Sequence, residues 1–473
     1  MSDITLVNTV FPSDVKVPPQ GILYLTAAIE AAGFAVDIRD YQLCGYDDPW
    51  EPAALARFAE RGSAPVIGFS CMSYALPLVI ATARLIKARA PEKIVVLGGI
   101  GPSGAGPALL DYCPEIDMIV VGEGERTVVE LLRRLKAGGD LEDVAGLFLR
   151  DRSGRATATA SRPRIPSMAD LEPPAYGRVD LSRYRLVDSQ FGRGCPFKCT
   201  FCDIAPYWGR LNTHRPIEHY VDELQTLVER HGARDVFIID DTFVLSRKAI
   251  LQFCREIAAR GLRFEWGCYA RVDLMDEELM AHMAEAGCRK VFYGVESGSD
   301  QVLSAVTKET TVDAVVETVS QSLRHFPFVT TSFVWGFPSE SLEDLKDTVG
   351  LLLYFTALGA SPQLNLALPY SYSPLYQQHR EQIRFDPRYS SQMQFYKGKD
   401  TDWLQQMIAG RPDLFSAFYH LPTPALEEKW AFLDQAGLSP HELQYAYDHP
   451  VPAPAAEEAV HPLSSVAAAS AAE

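Results

Sequence analysis

Three cysteines, Cys195, Cys199 and Cys202, fall within eight residues in the stretch GCPFKCTFCD. Thiolates are soft donors for zinc or for iron–sulfur clusters, and a closed site normally takes four ligands. Zinc sites usually come as two cysteine or cysteine–histidine pairs, whereas Cys254, Cys268 and Cys288 stand singly on expected helices and strands. The triplet could be half of a zinc site, or thiols that merely fall close together. A [4Fe–4S] cube is the better match, because three thiolates leave one iron open to a ligand that is not protein. The nine cysteines are otherwise scattered, which in a reducing compartment favours metal chemistry over disulfides.

Other polar residues end apolar runs. Asp240 and Asp241 close IIDDTF, Arg271 lies in CYARVD, and Glu296 and Ser297 follow KVFYGV. DVFIIDD, FEWGCYA, KVFYGVES and FVTTSFVWGFP read as strands, each followed by a helical pattern. This series predicts a full or partial TIM-type barrel over 186–360, expected as a partial (β/α)6 barrel, with its chemistry at the carboxyl ends of the strands. Singly, each residue has a plainer reading: Asp240 could cap the next helix, and the GVES stretch could be only a turn.

Residues 1–140 alternate ITLVNTV, AVDIRDY, VIGFS, IVVLGG and DMIVVGEGE with helical periodicity. Such alternation predicts an α/β, doubly wound, Rossmann-like sheet with helices on both faces. Ligands of such sheets bind where Ser70, Gly98, Gly99 and Gly122 fall, and Gly21, Gly98 and Gly99 would let backbone approach a bulky planar ligand. Ser70 could equally cap a helix, and Met72 could be core. GGIGPSG fails the dinucleotide fingerprint in spacing and in position. Residues 141–185, broken by Pro163, Pro166, Pro173 and Pro174, read as an extended linker. Beyond 361 the chain turns helical and aromatic to 445, and 446–473, rich in Ala, Pro and Glu, is predicted to be disordered.

The C-x3-C-x-aromatic-C spacing, with Phe201 before the last cysteine, resembles that of radical S-adenosylmethionine (SAM) enzymes. IIDDTF, CYARVD, AGCRKVFYGVESGSDQVL and FVWGFPSES are similar to the barrel motifs of the cobalamin-binding branch of that superfamily. VPPQGILYLTAAIEAAGFAVDIRDY, LGGIGPS and DMIVVGEGERT resemble the fused cobalamin (B12)-binding domain. The resemblance implies that Cys195, Cys199 and Cys202 hold a catalytic [4Fe–4S] cluster whose open iron SAM chelates. It places Phe201, Asp240, Asp241, Arg271, Glu296 and Ser297 around SAM, and Pro19, Gly21, Ser70, Met72, Gly98, Gly99, Gly122 and Glu123 around cobalamin. Many cobalamin proteins ligate cobalt from below with histidine; the first histidine here is His214, so a lower face without histidine is expected. Relatives often show a proline-glycine-threonine turn after the last barrel strand, where this chain has LPYSYSPLY.

The implied activity is methylation of an unactivated carbon of a small molecule, a hopanoid-like lipid or a natural-product intermediate. Methylcobalamin would give the methyl group and a 5'-deoxyadenosyl radical would remove the hydrogen, with two SAM consumed. The rivals are a cyclase or rearrangement enzyme using the same cofactors and a non-catalytic cobalamin or iron–sulfur sensor. A low-potential donor such as flavodoxin or ferredoxin is the expected partner. The aromatics of QMQFYKGKDTDWLQQM and RPDLFSAFYHLPTP could line an apolar pocket or pack helices against the barrel.

Composition limits the rest. The chain has 473 residues, 47% of them apolar, enough for at least two cores. A formal charge of −17 and the lack of any basic run exclude nucleic acid as an expected partner. The start has no basic then apolar leader, and the longest apolar stretch is broken by Ser70, Ser73 and Pro77. A cytoplasmic protein without a membrane span is expected.

Overall fold

A computed structural model describes residues 2–10, 15–396 and 401–438. The predicted disordered tail therefore lies outside the described residues, as does the end of the helical region. The first sheet contains β1 (Ile4–Asn8), β2 (Val36–Asp40), β3 (Val66–Ser70), β4 (Ile94–Gly98), β5 (Met118–Val120), β6 (Leu147–Arg150) and β7 (Ala156–Ala158), in the spatial order β2-β1-β3-β4-β5-β6-β7. The first five strands are parallel, with Asn8 paired to both Asp40 and Ser70. Because successive side chains on a strand point to opposite faces, Ile4 and Leu6 join one apolar core and Val7 the other. Helices Gln20–Ala31 and Gly124–Ala137 cover the first face, and Pro52–Glu60 and Leu76–Arg89 the second. The sheet is doubly wound, and its switch of strand order lies between β1 and β3, where such folds bind ligands.

The linker expectation needs correction. Strands β6 and β7 form an antiparallel hairpin that extends the first sheet inside 141–185. They carry little strand signal, because β7, ATA, has no apolar alternation and β6, LFLR, runs straight into the polar turn DRSGR.

The second sheet is built of β8 (Val187–Ser189), β11 (Asp235–Ile238), β12 (Glu265–Ala270), β13 (Cys288–Glu296), β14 (Phe328–Trp335) and β15 (Ser361–Leu366), all parallel and in chain order. Between β8 and β11, β9 (Gly192–Arg193) and β10 (Thr213–His214) form a two-residue antiparallel ladder that frames the cysteine loop. This is the open six-stranded form of the barrel. Its first strand precedes the cysteines, and its last lies beyond the expected boundary at 360.

The aromatic carboxyl-terminal region packs mainly against the first domain. Phe415, Phe418 and Tyr419 are buried in the core that also holds Trp50, Val79 and Leu97. Tyr112 meets Phe415 edge-on at 6.1 Å, and the Tyr396 hydroxyl donates to the Tyr74 carbonyl at 2.8 Å. The packing alternative is therefore correct for these rings, but their partner is the amino-terminal domain. Helix Leu426–Gln435 packs on the barrel through Leu433.

Candidate active site

The cysteine loop leaves β9 through Gly194, whose φ is 94°. A Cβ there would lie 2.0 Å from the Leu211 carbonyl oxygen, so only glycine fits. Backbone bonds then fix the loop. Thr200 N–H donates to the Val306 carbonyl (3.0 Å), and Leu375 N–H donates to the Thr200 carbonyl (2.8 Å). The second bond comes from the LPYSYSPLY segment, where Ser373 caps the short helix Pro374–His379. The departure from the proline-glycine-threonine pattern thus still delivers a strut to the cysteines.

Asp240 and Asp241 point at this loop. Asp240 Oδ1 accepts from Phe191 N–H at 2.8 Å, and Asp241 Oδ2 accepts from Gly194 N–H at 2.7 Å. Burial pushes the Asp240 carboxyl well above the usual range and the Asp241 carboxyl up to about 6, against the pull of those N–H groups. Asp240 is only 2% exposed, and its carboxylate anchors the start of the cysteine loop.

Cys199 is buried, while Cys195 and Cys202 are half-buried. Arg271 Nη1 lies 3.6 Å from Cys199 Sγ, and the guanidinium stacks on Phe197 with Cζ 3.6 Å from the ring centre. Its other nitrogens are committed: Nε to Asp273 Oδ1 (2.9 Å) and Nη2 to the Lys308 carbonyl (2.7 Å). Arg271 therefore faces a cysteine. Burial raises the Cys199 thiol and pushes that of Cys202 up to about 12, while Lys308 and Arg271 pull Cys199 back down.

Glu296 ends β13 in left-handed backbone, φ 74°, beside a register irregularity between Gly294 and Glu296. Its Oε1 accepts from Lys308 Nζ at 2.7 Å, both side chains being buried. Glu296, Lys308 and Arg271 thus form one charged chain ending at Cys199. Ser297 is fully buried, with its hydroxyl 3.0 Å from Thr348 Oγ1 and accepting from Ser299 N–H. It braces the turn after β13. Phe201 packs against Phe337, with ring centres 5.6 Å apart.

At the carboxyl end of the first sheet, no atom lies within 4 Å of the positions a Cβ would take on Gly21, Gly98 or Gly122. That open space is where a planar ligand could approach backbone. Gly99 has a different reason to be glycine: φ is 104°, and a Cβ would sit 2.6 Å from the Cys71 carbonyl oxygen. Met72 is 47% exposed, which excludes its core reading, and no side chain caps the helical turn after Ser70. Pro19 is buried at the start of helix Gln20–Ala31. Glu123 is buried too; its Oε2 accepts from Ile165 N–H at 2.7 Å, and its Oε1 lies 3.4 Å from Arg193 Nη1. Both carboxylate oxygens of Glu123 are thus engaged with protein partners.

Sequence reasoning missed Arg193, Glu125, Tyr207 and Lys308. Only Arg193, set between two glycines just before the first cysteine, carried a local signal.

Among the described residues, no three of His, Cys, Asp or Glu converge where a single metal ion could sit. A cube makes a different demand, because each thiolate binds a separate iron. Three thiols with two cations behind Cys199 suit an anionic cluster of that kind.

Comparison with known proteins agrees with this geometry. Residues 6–132 match the B12 binding domain family and residues 189–352 the Radical SAM superfamily. An uncharacterized methyltransferase of Pyrococcus horikoshii is 27% identical over 337 residues, covering 70% of this chain and 72% of that protein. The anaerobic magnesium-protoporphyrin IX monomethyl ester cyclase of Cereibacter sphaeroides is 28% identical over 384 residues, 77% of this chain and 61% of that protein. The radical SAM methyltransferase TsrM of Kitasatospora setae, solved with cobalamin and a [4Fe–4S] cluster, shares the fold. Its TM-score is 0.71 at 22% identity, over 93% of this chain and 91% of that one.

Proposed function

This chain belongs to the radical SAM superfamily and carries a B12-binding domain ahead of its radical SAM domain, and from that premise we propose that it methylates an unactivated carbon of a small molecule. One observation supports this most: the cysteine loop at the carboxyl ends of the second sheet touches the glycine turn of the first. The Tyr207 hydroxyl donates to the Gly122 carbonyl at 3.3 Å. That contact supports a cluster site and a cobalamin site that face one another, as methyl transfer between them would require.

In this reading Cys195, Cys199 and Cys202 would hold the [4Fe–4S] cluster, and Gly21, Gly98, Gly122 and Met72 would contact cobalamin. When bound, the cluster and SAM supply a 5'-deoxyadenosyl radical, and methylcobalamin supplies the methyl group. The chain's own residues orient and shield. Asp240 and Asp241 hold the loop; Arg271 and Lys308 set positive charge beside Cys199. A cobalamin bound here would lack histidine on its lower face in this reading; His214, the first histidine of the chain, stacks on Phe191 at 5.1 Å in the barrel half. A low-potential flavodoxin or ferredoxin supplies electrons, and the protein works in the cytoplasm. Among the described residues no helix is long and apolar enough to cross a membrane.

Cyclisation is the second reading, favoured by the cyclase of Cereibacter sphaeroides among the relatives. Anaerobic incubation of reconstituted protein with cobalamin, methyl-labelled SAM and an extract of its host separates the two. Label in one metabolite, heavier by one carbon and two hydrogens, supports methylation; 5'-deoxyadenosine formation with an unlabelled product supports cyclisation. Replacing Arg271 with methionine should slow reductive cleavage of SAM by about 10- to 100-fold while cluster content is kept, the usual range for groups that orient metal ligands. An unchanged rate of 5'-deoxyadenosine release would remove Arg271 from that role.

A further inference from the structure

Arg193 is 6% exposed and stands two residues before Cys195. Its planar fork reaches across the domain boundary: Nη2 lies 2.8 Å from Glu125 Oε1 and Nη1 3.4 Å from Glu123 Oε1. Nε donates to Gln190 Oε1 at 3.0 Å, and the guanidinium lies over the ring of Tyr24, 4.8 Å from its centre. Glu123 and Glu125 flank Gly124, directly after the Gly122 turn that faces the open space of the first sheet. A second cation balances the pair, since Arg164 lies 3.8 Å from Glu123 Oε2 and donates to the Arg193 carbonyl at 3.3 Å.

The other flank of the triplet is tied to the same turn. Tyr207, five residues after Cys202, donates to the Gly122 carbonyl. Its ring packs on Tyr372 at 5.3 Å, and the Tyr372 hydroxyl donates to the Ser103 carbonyl at 3.1 Å. The cysteine loop is therefore gripped before its first ligand and after its last by groups that end on one turn of the other domain.

We infer that Arg193 and Tyr207 are positioning residues that hold the cysteine loop in register with the Gly122–Glu123 turn, and so set the spacing between the cluster and the cobalamin. The inference rests on the two-cofactor reading. Burying so many charges is a poor way to gain stability alone, because apolar packing of equal volume commonly does as well. A rigid guanidinium fork instead fixes direction, which a lysine cannot do.

The test uses the full chain and the variants Arg193→Met, Arg193→Lys and Tyr207→Phe. Hydrogen exchange without cofactors should rise in residues 120–126 and 192–212 together, by about tenfold in Arg193→Met. Tyr207→Phe, which loses one hydroxyl, should show the same paired rise on a smaller scale, and it serves if Arg193→Met fails to fold. After reconstitution, iron and cobalamin contents should match the wild type. The magnetic dipolar coupling between cobalt(II) and the reduced cluster should broaden in Arg193→Met, and Arg193→Lys should restore it only in part. A rise confined to one segment, or a coupling identical to that of the wild type, overturns the inference. A wild-type chain that takes up no cobalamin would refute the proposed function instead, and the exchange pattern would still decide whether the clamp exists.

Discussion

Replacing Cys199 with alanine is expected to bring reductive cleavage of SAM down to background. Of the three cysteines it is the buried one, and Arg271 and Lys308 are the cations set against it. Thiolate ligation needs the proton removed, and burial alone opposes that. The nearby positive charge of Lys308 and Arg271 offsets part of that opposition at this position. A fall of at least about 1000-fold in 5'-deoxyadenosine formation, about 4 kcal/mol of barrier, should accompany loss of the cluster's spectrum and of bound iron. Cys44→Ala serves as the control, since Cys44 is exposed and lies outside the barrel half. Wild-type cleavage by the Cys199 variant would remove the cluster from the chemistry and with it the proposed function.

The pattern of expectations met and missed has a physical cause. Strands β12 to β14 were legible because they are six to nine residues long, and the four-residue β11 because its apolar run Val236–Ile239 ends in the paired Asp240 and Asp241. β6 and β7 were not, because a short edge hairpin needs little apolar surface. The same limit applies to the site. Strand-end position put Asp240, Asp241 and Arg271 beside the cysteines, but position does not set direction. The carboxylates bond to Phe191 and Gly194 N–H, and the guanidinium turns to Cys199, because loop anchorage is decided by tertiary contacts. Glu123 makes the same point: it stands on a turn that faces open space, and its carboxylate bonds to Ile165 N–H and lies beside Arg193. Long-range pairs such as Arg193 with Glu125 leave no periodic trace in a single sequence.

Lys429→Met should give the largest loss of stability. Lys429 and Glu340 are both fully buried. The ammonium donates to the Glu340 carbonyl (2.6 Å), to Glu340 Oε2 (3.0 Å) and to Thr423 Oγ1 (2.8 Å), which uses all three of its protons. Burial raises the Glu340 carboxyl above its ordinary 4.5, and Lys429 is the main group holding it down. Without the lysine, an uncompensated carboxylate remains in the core, at a cost of about 3–5 kcal/mol in urea unfolding. The penalty should depend on pH. In the variant the native state keeps the Glu340 proton while the unfolded chain releases it near 4.5. Native protein then binds more protons than unfolded protein above that pH, so stability falls as pH rises. The deficit should be small at pH 5 and full at pH 8. Adding Glu340→Gln should recover most of it, because a neutral amide can still accept from Gly336 N–H, now 2.7 Å from Oε2. The consequence reaches the cysteines, since Thr423 also donates to the carbonyl of Phe337, the residue packed on Phe201. A deficit independent of pH, or one that Glu340→Gln leaves untouched, would mean that helix Leu426–Gln435 is held by apolar contacts alone.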